Sequence, residues 1–306
     1  MMKKYFILFV LVLLPLLVMG QAAGGQITRQ VKKQETATTP PKKQTMPAKK
    51  KDTTPPKRQR ITPTKKMENS LSPVLQNLIN NMVRVEGGTF TMGATSEQGS
   101  EAESDEKPAH QVTLSSFSIG KYEVTQEEWE AVMGSNPSKF RGAKRPVERV
   151  SWNDCQEFIR KLNVLTGKLF RLPMEAEWEF AARGGNHSQG FKYAGSNSIN
   201  SVSWNYENSH NKGSNSPDYG THPVGQKQSN ELGLYDMAGN VCEWCQDWYG
   251  NYSSNSQTNP TGPSSASLRM ARGGSWGFLI ESCRVSDRDF YAPDCRDYRR
   301  GLRLAL

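Results

Sequence analysis

The stretch Arg-Gly-Gly-Ser-Trp-Gly-Phe-Leu-Ile-Glu-Ser-Cys-Arg, residues 272–284, lies where hydrophobic periodicity gives out. From about residue 184 to 306, Gly, Asn, Ser, Pro and Trp dominate, with only brief strand-like runs such as Arg303 to Leu306. Long irregular stretches inside a compact domain are held by bound ions, disulfides or polar networks in place of regular ladders. Upstream the signals are clearer. A short helix is expected over 72–80. Val83 and Val85 alternate into Gly87-Gly88, and Phe90 and Met92 resume the alternation, which predicts a hairpin. Residues 94–109 read as an acidic loop, and Val112, Leu114 and Phe117 as a further strand. Thr125-Gln-Glu-Glu128 is a capping box ahead of Trp129, Val132 and Met133, with Gly134 as the stop. A second helix starts near Ser151, carries Cys155, Phe158, Ile159 and Leu162 on one face, and ends before Gly167. A third follows Pro173 with Glu175, Glu177, Trp178, Phe180 and Ala181. No repeat of 20–50 residues is visible. This is the pattern of an α+β domain with little regular secondary structure.

At 306 residues the chain has ample length for a core. Lys3 and Lys4 precede an apolar run from Tyr5 to Val18, and Gly20 ends it, so residues 1–20 read as a signal peptide. That run is short against the roughly 20 residues of a membrane span. Membrane attachment is therefore expected only if the signal stays uncleaved, and no cysteine follows it for lipid attachment. Export, to a periplasm or cell surface, permits disulfides among Cys155, Cys242, Cys245, Cys283 and Cys295, and an odd number leaves at least one thiol over.

The net charge of +9 is misleading. Residues 22–70 hold 13 Lys+Arg against 3 Asp+Glu, and Lys3 and Lys4 add +2, so residues 71–306 carry −3. The basic stretch, with six prolines from Pro40 to Pro63 and many Thr and Gln, reads as a disordered linker over 21–70. It interleaves no aromatics with its basic residues, so nucleic acid is not an expected partner. It serves as a spacer, or is loosely attracted to anionic envelope polymers.

Six blocks, in order, carry a resemblance. They are Val-Glu-Gly-Gly-Thr-Phe-Thr-Met-Gly (85–93), Tyr-Glu-Val-Thr-Gln-Glu-Glu-Trp (122–129), Pro-Val-Glu-Arg-Val-Ser-Trp-Asn-Asp (146–154), Arg-Leu-Pro-Met-Glu-Ala-Glu-Trp-Glu-Phe-Ala-Ala-Arg-Gly-Gly (171–185), Gly-Leu-Tyr-Asp-Met-Ala-Gly-Asn-Val-Cys-Glu-Trp (233–244) and the terminal Arg-Gly-Gly-Ser-Trp … Gly-Leu-Arg-Leu. Residues 82–306 resemble the formylglycine-generating enzyme, or sulfatase-modifying factor, family. The resemblance implies a C-type-lectin-like α+β fold. It also implies an oxidase site in which two cysteines hold Cu(I) while dioxygen oxidises a sulfatase cysteine, because soft thiolates are what Cu(I) selects. Here Cys283 stands at the second of those positions and Phe278 at the first, so copper is not expected to bind tightly. Ser275 aligns with a serine of that site.

The resemblance further implies a calcium site at Asp236, Gly239, Val241 and Glu243, where two carboxylates and two backbone carbonyls suit a hard cation. The same carboxylates could instead cap turns in a metal-free loop. A first calcium site would fall near Asn205 to Asn208 and Asp218, with no ligand set assigned there. Cys242 replaces a tryptophan usual in the family. The Cys242, Cys245 and Cys283 group admits a Cys245–Cys283 disulfide or a rearranged two-thiolate site of Cys242 with Cys283. Cys155 reads as plain core, and Trp129, Trp178, Trp244, Trp248 and Trp276 as core rather than binding platforms. His110, His187, His210 and His222 show no ligand spacing.

Three functions follow. The chain is an exported non-catalytic or divergent member that binds a protein or glycan at the envelope; or a copper-dependent formylglycine-generating oxidase; or a ligand-binding variable protein of a diversity-generating retroelement, whose similar terminal segment would present residues 277–299.

Overall fold

In the computed structural model, residues 71–306 are described; the expected signal peptide and linker over 1–70 lie outside them. Ser72 caps α1 (Pro73–Asn80), its hydroxyl accepting the Leu75 amide at 3.3 Å. Leu75 and Leu78 enter the core, so the folded part begins before Met82. The strands β1 (Met82–Val85), β2 (Gly88–Met92), β3 (His110–Leu114) and β4 (Phe117–Gly120) follow.

The expected hairpin does not form. β1 pairs antiparallel with β4, and β2 with β3, so Gly87-Gly88 is a crossing between two sheets rather than a turn. A Cβ at Gly87 would lie 2.4 Å from the Leu114 carbonyl oxygen and 2.8 Å from the Ser116 nitrogen. Only glycine lets the strands pass this closely. The reading of 94–109 as a plain acidic loop also needs correction. It contains two short 3-10 turns, and Gln98 and Glu106 are fully buried.

Two helices form as their caps dictate. α2 (Gln126–Met133) and α3 (Trp152–Thr166) carry reciprocal capping boxes at Thr125/Glu128 and Ser151/Asp154, and end at Gly134 and Gly167 in left-handed conformation. α4 (Glu175–Ala182) is buried on all sides, including Glu175, Glu177 and Glu179. A single turn, α5 (Ile199–Val202), precedes the irregular half.

That half supplies β5 (Cys242–Trp248), β6 (Gln257–Thr258), β7 (Arg269–Arg272), β8 (Asp289–Tyr291) and β9 (Arg300–Leu302). β6 extends the β2–β3 pair, and the others form a sheet of order β8-β7-β5-β9. The strand expected at 303–306 begins earlier, and Ala305 makes only isolated bridges to Ile119 and Arg171. Successive strand residues point to opposite faces, so this sheet separates two cores. Met270 and Cys245 lie in one, with Trp178, Phe180 and Cys283; Ala271, Cys242, Trp244 and Leu302 lie in the other, with Cys155 and Phe158. Four of the five tryptophans expected in the core are buried, whereas Trp248 is half-exposed, with the Arg269 guanidinium 3.4 Å from its ring.

What holds the irregular half is a set of buried arginines. Arg272, Arg284 and Arg303 are among the largest fully buried side chains. Arg284 grips Glu106 with two hydrogen bonds of 2.6 and 2.8 Å, which ties the 94–109 segment to the C-terminal part. Arg288 grips Glu175 at 2.7 and 2.9 Å. Arg272 pairs with Glu179, and Arg303 with Glu243.

Candidate functional site

The terminal segment runs off β7 through Gly273 and Gly274, both at positive φ. A Cβ on Gly274 would meet the Cys283 sulfur at 2.7 Å. The chain therefore folds its own Ser275–Cys283 loop tightly onto that thiol. Cys283 is fully buried, and burial pushes its thiol up to about 12, so at neutral pH it is protonated. Its sulfur lies 3.9 Å from the Leu279 carbonyl oxygen. Ser275 is also fully buried, its hydroxyl accepting the Gly277 amide at 3.3 Å.

Phe278 packs against the other core, with the Arg299 guanidinium 4.9 Å from its ring. Cys242 and Cys283 fall in different cores; the Cys242 sulfur faces Asp289 at 3.7 Å. Cys245 and Cys283 share one core, and all five cysteines are free thiols. Alkylation of the native protein at pH 7.5 is expected to label Cys295, the half-buried one, and to leave the four buried thiols unmodified. Peptide mass mapping before and after denaturation reads this out.

Around the outer end of the segment lies a half-exposed aromatic rim that sequence reasoning did not assemble. His210 stacks on Tyr206 at 4.9 Å and packs beside Tyr219 at 5.3 Å. Phe140 and Tyr298 flank buried Trp276 at 5.0 and 5.8 Å. These residues come from four separate stretches with no shared motif. Within 277–299 the structure divides the chain. Leu279, Glu281 and Phe290 are exposed, whereas residues 283–288 are buried and do not form a face.

At the loop 236–243, Asp236 adopts φ 57° and accepts the Gly225 amide at 2.7 Å through Oδ2, while Oδ1 is buried without a hydrogen bond. Burial raises its carboxyl to about 6. Glu243 is engaged otherwise: Arg303 reaches both its oxygens at 2.7–3.1 Å, and Trp178 Nε1 donates to Oε2 at 2.7 Å. Glu123, which sequence reasoning passed over, is also buried here. It accepts the Val241 amide at 2.9 Å and Asn240 Nδ2 at 2.7 Å. Burial first, then the charges of Asp236 and Glu243, push its carboxyl well up. Three buried carboxyl groups thus face one buried arginine, with half-buried Lys227 beside Asp236. That crowding of carboxyl groups, together with the unpartnered Asp236 Oδ1, fits a hard cation. Asp236 and the backbone would hold it, whereas Glu243 is committed to Arg303. At the other implied site, Asn205 and Asn208 close their own turn, the Asn205 amide donating to Asn208 Oδ1 at 2.8 Å.

Residues 68–306 match the family described as the sulfatase-modifying factor enzyme 1-like domain. The chain belongs to this family. Among named relatives, the chaperone protein LppX of Paenibacillus barcinonensis is 36% identical, over 74% of this chain and 89% of that protein. The formylglycine-generating enzyme of Streptomyces coelicolor is 30% identical, over 73% and 88%. The serine/threonine-protein kinase pkn1 of Chlamydia pneumoniae is 32% identical over 76% of this chain, which spans only 39% of the kinase's length. Among solved structures, Treponema denticola variable protein 1 superposes with a TM-score of 0.64 at 33% identity, covering 74% of this chain and 94% of that one. PvdO from Pseudomonas aeruginosa gives 0.61 at 29% identity, covering 73% and 93%. The mixed helices and small sheets are the C-type-lectin-like α+β fold of the sulfatase-modifying factor family.

Proposed function

We propose that this sulfatase-modifying factor domain is an exported binding or accessory protein of the cell envelope, using the aromatic rim and the exposed part of the terminal segment to hold a protein or glycan. The observation that carries this reading is the state of Cys283. It is a fully buried thiol with an upshifted pKa, and Phe278, not a second sulfur, occupies the position where the family's oxidase has its other cysteine. A single protonated thiol is a poor Cu(I) ligand. The similarity to a relative named as a chaperone and to a structure named as a variable protein supports a binding role over oxidation. The variable-protein version draws on the rim and on exposed Leu279, Glu281 and Phe290, and it predicts a near-copy of the coding segment for 272–303 beside a reverse-transcriptase gene. Calcium at Asp236 belongs to this proposal as a structural ion.

Cu(I) titration with a competing chelator, followed by incubation of a Cys-x-Pro-x-Arg peptide with copper and oxygen, is the test. The expected result is no tight copper site and no formylglycine product by mass spectrometry. Stoichiometric Cu(I) binding with product formation would return the chain to the oxidases.

A further inference from the structure

A cavity of about 600 Å³ opens beside the N-terminus of α4, the end of β5 and the 250–263 loop. That volume lies within the roughly 300–1,000 Å³ of small-molecule sites. None of the aromatic-rim residues lines it, and neither does any residue of the 236–243 loop.

Its charged groups differ sharply in what they have left to offer. Arg288 is largely committed: Nε and Nη2 donate to Glu175, Nη1 to the Asp105 carbonyl at 2.8 Å, and Nη2 also to the Gly250 carbonyl at 3.0 Å. Glu175 is neutralised by that arginine and by the Tyr252 hydroxyl, which donates to it at 3.1 Å. Asp247 is different. Its Oδ2 accepts the Glu175 amide at 2.8 Å, but among the described residues no hydrogen bond reaches Oδ1, although the residue is 4% exposed and lines the cavity. His110 Nδ1 lies 3.1 Å from the Pro108 carbonyl oxygen. A carbonyl only accepts, so Nδ1 donates this bond, and in that tautomer Nε2 is an acceptor. The deep wall therefore presents Asp247 Oδ1 and the His110 ring beside an arginine with four of its five N–H donors committed.

We propose that this cavity binds a primary ammonium or guanidinium group, with Asp247 as counter-ion and His110 as second acceptor. The group belongs either to a free small amine or to a basic side chain of a partner protein. Charge linkage gives the site a signature. Burial first, and then the Glu175 charge, raise the Asp247 carboxyl to about 7. Glu177 on α4 adds to this, while Arg269 on β7 opposes it; the Cys245 thiol on β5, itself pushed well up by burial and by the Asp247 charge, stays neutral there. A cation entering near pH 7 drives Asp247 to ionise and releases about half a proton per site.

Calorimetric titration of the protein with n-butylammonium, n-butylguanidinium, a Gly-Lys-Gly peptide and butyrate, in buffers of different ionisation enthalpy, tests this. The cationic probes are expected to bind with proton release, and about tenfold or more weakly at pH 5.5 than at pH 8. Tighter binding of the peptide identifies a side chain as the occupant, and tighter binding of the free amines identifies a small metabolite. Asp247→Asn keeps an oxygen for the Glu175 amide and is expected to weaken binding at least tenfold. Thr261→Trp, at the exposed rim, is expected to block the cavity without touching the core. Butyrate binding as tightly as butylammonium, absence of any cationic binding to 10 mM (on the order of the weakest useful site), or unchanged binding by both variants overturns the proposal.

Discussion

Arg272→Met is expected to destabilise the domain by about 3–5 kcal/mol, the cost of breaking a buried ion pair by removing one partner. Arg272 is fully exposed to protein and not to water. Its Nη2 is paired with Glu179, and donates to the Val285 carbonyl at 3.3 Å, and Nη1 donates to the Asp287 carbonyl. Glu175 lies 3.7 Å from Nε. Methionine fills much of the volume but leaves, among the described residues, Glu179 with Arg183 and Glu175 with Arg288 as remaining cationic partners. It also orphans two carbonyls. For a domain of this size the loss corresponds to a fall in Tm of roughly 6–20 °C. Arg160→Met supplies the contrast. Its pair with Glu157 is solvent-exposed, and such pairs contribute about 0–1 kcal/mol. Thermal and urea unfolding of both variants measure the difference, and equal effects would mean that the arginine network is not what holds the irregular half.

The same network sets the acid limb. Burial alone would raise Glu106, but hydrogen bonds from Arg284 and Ser286 outweigh it and leave the carboxyl below its ordinary 4.5. Glu175 is likewise lowered, burial being outweighed by Arg288 and Arg272. A carboxyl depressed in the folded state contributes stability that is complete above its unfolded value and lost as pH falls through the folded one. Acid unfolding is therefore expected to set in below about pH 4.

The helices were legible because their signals are local. Thr125/Glu128, Ser151/Asp154, Gly134 and Gly167 each specify a terminus within a few residues, and the structure follows them. The hairpin at Gly87-Gly88 misled because two glycines permit a crossing as readily as a turn, and the deciding neighbour, the Leu114 carbonyl, is 27 positions away in sequence. The Glu106–Arg284 pair is 178 residues apart, and no period or motif reports such a distance. An acidic stretch looks solvated until its arginine is known. At the site, Cys283, Phe278 and Asp236 were legible as positions in a motif. Their environments were not: the capture of Glu243 by Arg303 and the presence of Glu123 depend on packing between residues 60 and 117 positions apart.

Gly239→Ala is expected to cost at least about 3 kcal/mol, whether or not calcium is present. Gly239 has φ +83°, where a non-glycine residue pays about 1–3 kcal/mol. A Cβ there would also lie 2.1 Å from the Trp204 carbonyl oxygen and 2.3 Å from Ser203 Oγ. The Trp204 oxygen cannot simply withdraw, since it accepts the Asn240 amide at 2.8 Å. Overpacking of this kind adds about 1–3 kcal/mol. Asp236→Asn separates the ion from the backbone. The Asp236 carboxyl, raised by burial to about 6 from 3.8, is a group whose ionisation opposes folding. Without a cation, stability is therefore expected to fall as pH rises from about 4 through 6 and then level off, and Asp236→Asn to remove that decline. With calcium at a hundredfold over its dissociation constant, the wild type is expected to gain about 2.7 kcal/mol and the Asn variant none. Unfolding in EDTA and in calcium at pH 7.5 measures all three proteins. A calcium increment retained in Asp236→Asn would place the ion elsewhere, whereas a Gly239→Ala loss that vanished in EDTA would make that glycine a ligand position rather than a backbone crossing.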